Sequence, residues 1–417
     1  MKKAGLGAAA VAATTVNAPA VLAQKNFRWK MVTTWPRDFP GLGTGANYLA
    51  RIIGEMSGGR LTVKVYARTE PGPPFEEFDA VRRGTAEMGH GGAYYWKGKI
   101  PASPFFSGVP FGLTGSEING WFYHGGGIEV YHEVYEPFGV IPWPIGNSGT
   151  QMGGWFNKEI NSIDDLKGLK MRIPGFGGEV LMRVGGTPVN IPGAELFTAL
   201  QSGTIDATEW VGPMNDLAFG LFRAAKYYYY PGWHEPGTAL EGLVNADAYA
   251  ALPADLQAIV KYACQAANMD MFADFENRNG DSLSSLVNDH GVVVKSFNED
   301  VWDAFGTAAV EVFEETRNHS ELARKIDDDF QAKLRAIGGF RKIFRPEVPI
   351  HRPKDPIYAE SEIFVHPYPP RAREPTELGV EIRNPTDEPQ PITVTFSYAQ
   401  FGIGLPFRQI HGPIPVV

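Results

Sequence analysis

The chain is poor in the residues that most metal and redox chemistry relies on. It carries one cysteine, Cys264, in 417 residues. That excludes an intramolecular disulfide, thiolate zinc sites and Fe–S clusters together, and leaves any metal to oxygen or nitrogen ligands. Basic charge is also in deficit, with 38 Lys and Arg against 47 Asp and Glu for a formal charge of −9. The basic residues are dispersed, so nucleic acid is a poor partner. No run after Gln24 is long and apolar enough to span a bilayer, and there is no internal repeat, low-complexity tract or like-charge block. What is present is 43% apolar residues, enough for real cores in two or three domains.

Residues 1–23 read as an address. Lys2-Lys3, an Ala/Gly/Val-rich run and Val21-Leu22-Ala23 form the basic, apolar and small-residue parts of a secretory signal, cut before Gln24, so the mature protein is expected to be exported. The segment also resembles the tail of a twin-arginine signal, but without the arginine pair. From Phe27 to about Tyr230, β-type runs alternate with helical ones, the pattern of an α/β protein. The expected strands are Phe27–Thr34, Leu61–Tyr66, Gly139–Gly146, Gly154–Asn157, Lys170–Ile173 and Thr187–Ile191. Apolar residues at 3–4 spacing predict a helix over Asn47–Met56, and Ser162 with Asp165 resembles a capping pair. Long helices are expected from Pro253 to about Leu286 and from about Glu299 to Ile337, the second ended by Gly338-Gly339. Beyond Arg345 the composition shifts: residues 346–417 hold 14 of the 33 prolines, and Leu378–Arg383 and Ile392–Tyr398 alternate as strands of a small β module, a partial sandwich. The expected domains are thus a signal at 1–23, an α/β and helical body at 24–340 and a Pro-rich module at 346–417.

Several motifs fail on context. Gly41-Leu42-Gly43-Thr44-Gly45-Ala46 fits a relaxed nucleotide fingerprint but follows prolines rather than a strand, which leaves a Gly-rich turn. His124-Gly125-Gly126-Gly127 is similar to an esterase oxyanion loop, yet the nucleophile elbow is missing, because Gly146-Asn147-Ser148-Gly149 breaks at Thr150. His124 and His132 have no carboxylate at metal spacing and read as a surface pair. Tyr227–Tyr230 reads as a mixed core and interface strand. Cys264 shares a helical face with Ile259, Val260 and Ala267 and reads as a buried small residue.

Three stretches combine turn glycines with polar groups that lack a structural duty: 146–155, 170–175 and 204–213. Arg172 ends a short apolar strand before Pro174-Gly175, where a guanidinium would point into a cleft. Its fork suits a carboxylate through two parallel charged hydrogen bonds, and an ordinary Arg–Asp pair is the alternative.

These stretches resemble the solute-binding proteins of TRAP transporters, most closely their 2-oxo-acid and lactate branch. The resemblance runs from about Phe27 to Ile337. It includes Met31-Val32-Thr33-Thr34-Trp35-Pro36, Ala93-Tyr94-Tyr95-Trp96-Lys97-Gly98-Lys99, Gln151-Met152-Gly153-Gly154-Trp155-Phe156, Glu209-Trp210-Val211-Gly212-Pro213 and Tyr227-Tyr228-Tyr229-Tyr230-Pro231-Gly232-Trp233-His234-Glu235. It implies a two-lobed α/β periplasmic binding protein fold with a long C-terminal helix, closing on an organic acid whose carboxylate Arg172 grips. It further implies a bridging cation, Na⁺ or Ca²⁺, at Gln151, Glu209, the carbonyl of Trp210 and Glu235. Oxygen donors suit such hard ions. Two glutamates and a substrate carboxylate against one arginine would crowd like charges without it. Tyr94, Tyr95 and Asn147 are further candidates for bonds to the ligand, and Trp210 and Trp35 for pocket walls that admit a short chain. His234 stands where the resemblance leads one to expect tryptophan. Residues 346–417 fall outside the resemblance.

The leading expectation is a periplasmic receptor that hands a small 2-oxo or 2-hydroxy monocarboxylate to the membrane subunits of a TRAP transporter, without catalysis, as a homodimer joined through the helical run Glu299–Ile337. The alternatives are a metal-dependent hydrolase using Glu209 or Glu235 as base, which lacks a histidine in its ligand set, and an exported adhesion or structural protein built on the C-terminal module.

Overall fold

A computed structural model describes residues 25–67 and 75–344, with side chains to 337, and six short strands between 362 and 416. The expected signal at 1–23 lies outside the described residues. Eleven strands precede residue 344: β1 Phe27–Thr33, β2 Leu61–Tyr66, β3 Met88–Gly91, β4 Val140–Asn147, β5 Gly154–Phe156, β6 Lys170–Arg172, β7 Thr187–Val189, β8 Ala207–Thr208, β9 Tyr227–Tyr230, β10 Ala239–Asn245 and β11 Val293–Ser296. They form two mixed sheets, one per lobe, ordered β2-β1-β3-β10-β4 and β11-β9-β5-β8-β6-β7. All six sequence-predicted strands form, each ending within two residues of the expected limits.

The chain passes between the lobes at 148–153, after β4, and returns at 231–238, before β10. These crossings lie side by side: Gly232 N–H donates to the Gln151 carbonyl at 2.9 Å and Ser148 N–H to the Thr238 carbonyl at 3.0 Å. β10 is hydrogen-bonded on both edges and buried along nearly its whole length, so its sequence does not alternate, and even Glu241 in its middle is buried. The helix Ala254–Asn288 joins the two cores. Leu256, Val260, Ala263, Cys264 and Ala267 belong to the core of the first lobe, whereas Met271, Phe275 and Leu286 join the core around the cleft and second lobe. At 35 residues it is about 52 Å long, enough to run along both lobes. Cys264 is buried on it as expected, and burial raises its thiol pKa.

Two local expectations are corrected. The Gly-rich stretch 41–46 is the start of a helix, Leu42–Met56, and not a turn. A Cβ on Gly43 would lie 2.5 Å from the Pro36 carbonyl oxygen, and one on Gly45 2.3 Å from the Met271 methyl, so these glycines permit close approach of backbone and neighbouring helix. The run expected as a single helix over Glu299–Ile337 is two, Glu299–Arg317 and Glu321–Phe344, with Gly338-Gly339 inside the second. The break is stabilised locally: Ser320 Oγ accepts from Ala323 N–H at 3.0 Å, and Arg317 reaches over it to Asp328 at 2.7 Å. The first of the pair packs on the helix Gly175–Arg183 of the second lobe, where Arg183 pairs with Glu315. The second returns to the first lobe, with Asp329 accepting from Trp121 Nε1 at 2.6 Å and Phe330 against Phe105 and Trp121.

The chain divides into compact units at Leu334/Arg335. In the second unit the described strands pair antiparallel as Glu362–His366 with Glu377–Glu381, Ile392–Val394 with Ile414–Val416 and Ser397–Tyr398 with Arg408–Gln409. Among the described residues they form three two-stranded sheets.

One buried acid makes the fold sensitive to pH. Glu241 on β10 accepts hydrogen bonds from Trp96 Nε1 and Tyr131 OH, and burial outweighs those donors, pushing its carboxyl up to about 7. The native state therefore holds this proton more tightly than the unfolded chain does. The resulting stabilisation is complete below the unfolded value near 4.5 and is lost as pH rises through about 7. Urea unfolding of Glu241→Gln is expected to show a smaller loss of stability between pH 5 and pH 8 than the parent, and equal losses would contradict the assignment.

Candidate functional site

The site lies where the crossings meet the carboxyl ends of β6 and β8. β6 and β8 are parallel neighbours, with Arg172 opposite Thr208, so the residues that follow leave the sheet on the same side. Arg172 is 1% exposed. Its guanidinium pairs with the Glu209 carboxylate, donates from Nε to the Ile191 carbonyl at 3.3 Å and from Nη2 to Tyr95 OH at 3.4 Å, and lies 5.0 Å from the Trp210 ring centroid. Burial alone would lower its pKa, but Glu209 and the tyrosines raise it, so the charge is fixed. The expected alternative, an ordinary Arg–Asp pair, is replaced by a buried pair with one of the proposed cation ligands.

Glu235 projects from the second crossing. Its Oε2 accepts from Gln151 Nε2 at 2.9 Å and from Thr238 Oγ1, while Gln151 Nε2 also lies 3.1 Å from Ser148 Oγ. Burial, and next the neighbouring Glu209, push the Glu235 carboxyl up to about 7. Space for it is made by Gly108, where a Cβ would stand 2.4 Å from Glu235 Cγ. Glu209, His234 and Glu235 each present a ligand atom within 4.8 Å of the others. His234 Nε2 is 3.5 Å from Glu209 Oε2. Gln151 Oε1, Glu209 Oε2 and both His234 nitrogens are buried without a hydrogen-bond partner among the described residues. Orphaned acceptors beside two buried carboxylates fit a cation, whose charge would replace the missing donors.

Next to this cluster is a small cavity of about 10 Å³, lined by Trp35, Leu42, Tyr94, Tyr95, Ser148, Gln151, Trp210, Val211 and Leu240. That is room for about one water molecule. Burial pushes the Tyr95 hydroxyl up to about 12, leaving it a neutral donor.

The structure thus gathers Tyr94, Tyr95, Gln151, Arg172, Glu209, Trp210 and Glu235, with Trp35 as a wall. Asn147 stands apart: its Nδ2 donates to the Gly115 carbonyl at 2.9 Å and to Asn119 Oδ1 at 3.2 Å, and its Oδ1 accepts from Gly149 N–H at 2.8 Å. Both donors thereby tie the end of β4 to the helix Gly115–His124. Sequence reasoning missed the supporting groups. Thr238 and Ser148 brace Glu235 and Gln151. Asp216, pushed up to about 7 by burial, accepts from Trp155 Nε1 at 2.9 Å and Tyr228 OH at 2.6 Å beneath the 209–213 turn. His234 joins the acidic cluster, so the ligand set thought to lack histidine has one beside it. Ser148 lay inside a glycine-rich stretch already singled out, whereas nothing in spacing marked Thr238 or Asp216.

Residues 31–319 match the family of bacterial extracellular solute-binding proteins, family 7. A monocarboxylate 2-oxoacid-binding periplasmic protein of Nostoc sp. is 40% identical over 336 residues, 80% of this chain and 92% of the relative. A TRAP periplasmic solute-binding protein from Pseudoalteromonas atlantica T6c, solved with bound sodium and pyruvate, is 43% identical with a TM-score of 0.75, covering 76% of this chain and 97% of that one. Its counterpart from Colwellia psychrerythraea, solved with calcium and pyruvate, is 45% identical with the same TM-score and coverage.

Proposed function

The chain belongs to family 7 of the bacterial extracellular solute-binding proteins, and from that premise we propose that it is the periplasmic receptor of a TRAP-type transporter for a small 2-oxo or 2-hydroxy monocarboxylate bound together with Na⁺ or Ca²⁺. The observation that carries this reading is the buried Arg172 guanidinium beside the orphaned oxygens of Gln151 and Glu209, next to a small cavity walled by aromatic side chains. Arg172 receives the carboxylate. Gln151, Glu209, the Trp210 carbonyl and Glu235 hold the cation, which offsets the excess negative charge once the acid enters. The tyrosines 94 and 95 supply neutral donors from the first lobe, and Trp35 and Trp210 limit chain length. Binding between lobes favours the closed arrangement by its differential affinity for it, which is the signal that membrane subunits would read. Lys97 of the first lobe already pairs with Glu179 of the second across the cleft.

The relatives that bind pyruvate with sodium or calcium support the ligand class and the ion, and no turnover is needed to account for the site. Export through residues 1–23 and delivery to membrane subunits belong to the same proposal. Protein stripped of ligand and metal is expected to melt higher only when a short 2-oxo or 2-hydroxy acid and a cation are both added. Arg172→Lys keeps the charge but loses the fork, and should weaken acid binding about tenfold or more. A screen of pyruvate, lactate and longer 2-oxo acids with Na⁺ and Ca²⁺ that moves the melting temperature nowhere would refute the reading.

The proposed assembly is a homodimer through the C-terminal helical segment, now two helices rather than one. Light scattering of the full chain should return twice the 45.7 kDa monomer mass, and the monomer mass would overturn it.

A further inference from the structure

Two indoles face the cavity, and their N–H groups are treated differently. Trp35 Nε1 donates to His90 Nδ1 at 2.8 Å, with the two rings near perpendicular at 87°. Because an indole can only donate, Nδ1 is the acceptor and the imidazole carries its proton on Nε2. His90 is 0% exposed on β3, in the interior of the first-lobe sheet, paired with Thr33 on one side and Gly242 on the other. Nothing assigned to the binding site so far uses it. Trp210 Nε1, by contrast, is buried with no partner among the described residues. Trp35 meets Trp210 edge-on with centroids 6.3 Å apart and Tyr95 at 6.4 Å.

We propose that His90 is a positioning residue that sets the size selectivity of the pocket: by accepting the Trp35 N–H it turns that donor away from the guest and fixes the indole as a rigid apolar wall against the tail of the acid. This rests on the receptor reading above. Without the acceptor, Trp35 would hold a buried unsatisfied donor and would rotate to satisfy it, opening the wall and adding a polar group to it. The rigid wall discriminates between acids that differ by one methylene, for which a packed apolar pocket gives about tenfold or more.

The test measures affinities for pyruvate, 2-oxobutyrate and 2-oxopentanoate by calorimetry in the presence of Ca²⁺, together with the indole N–H resonances of ¹⁵N-tryptophan-labelled full-length chain, Trp35 being assigned through Trp35→Phe. His90→Leu is expected to compress the selectivity between successive acids by about tenfold and to move the Trp35 resonance. His90→Gln, which offers a carbonyl oxygen as acceptor, should restore much of both. Should His90→Leu fail to fold, Trp35→Phe supplies the same loss of selectivity with the imidazole in place, and in the double variant the losses should not add. An unchanged selectivity ratio in His90→Leu or Trp35→Phe, in protein that binds the acids, overturns the selectivity role alone. Parent protein that takes up none of the acids overturns the ligand class and the selectivity role together, while its indole spectrum still reports the Trp35–His90 bond.

Discussion

Everything at the cleft follows from placing three charged side chains, Arg172, Glu209 and Glu235, where water does not reach. Such a cluster is a poor source of stability, because desolvating the ions costs about as much as their attraction returns, and removing one partner leaves an uncompensated buried charge. What the cluster offers is chemical selectivity. The guanidinium is kept protonated by its neighbours, one carboxylate is raised toward neutrality by burial and then by the other carboxylate, and acceptors of Gln151 and Glu209 are left without donors. An arrangement short of positive charge on one side and presenting a cationic fork on the other is completed by a cation and an anion together, and by neither alone.

The rest of the fold serves that placement. The parallel pairing of β6 and β8 carries Arg172 and Glu209 out of the sheet on one side, and the Glu209 N–H donates back to the Arg172 carbonyl at 3.2 Å. Gln151 and Glu235 come from the two interlobe crossings, which are hydrogen-bonded to one another, so a cation held there is held at the hinge. The tyrosines and Trp35 come from the opposite lobe. On the proposed reading, ligand, cation and lobe closure share the same few residues, which is what coupling between solute capture and a conformational signal requires. The helix pair from Glu299, passing from the second lobe back to the first, and the 35-residue helix before it tie both lobes together.

Much of this was legible in the sequence because it rests on short-range rules. Alternation located six strands, Pro253 marked the start of the long helix, and Ser162 with Asp165 formed the reciprocal cap that their spacing suggests. The position of Arg172 before a Pro-Gly turn was enough to aim it at a cleft. What was missed depends on distant contacts. Glycines 43 and 45 punctuate like a turn, and only the approach of Pro36 and Met271 explains them inside a helix. Asn147 has the chemistry of a ligand group, but its partners come from 28 and 32 residues away. The break at Asn318–Ser320 offered Ser320 as a cap that the apolar periodicity ran past. His90 and Asp216 act through Trp35 and Trp155, and no spacing rule relates residues 55 or 61 positions apart.

The most direct measurement of the central claim is the thermodynamic coupling between the two guests: calorimetric titration of Ca²⁺ into stripped protein with and without saturating pyruvate, and of pyruvate with and without Ca²⁺. If both complete one charge cluster, each must tighten the other, and by the same factor, typically 5- to 150-fold for coupled sites. Affinities that are independent of one another would mean that the carboxylate and the cation do not meet at Arg172, Glu209 and Glu235, and would contradict the account.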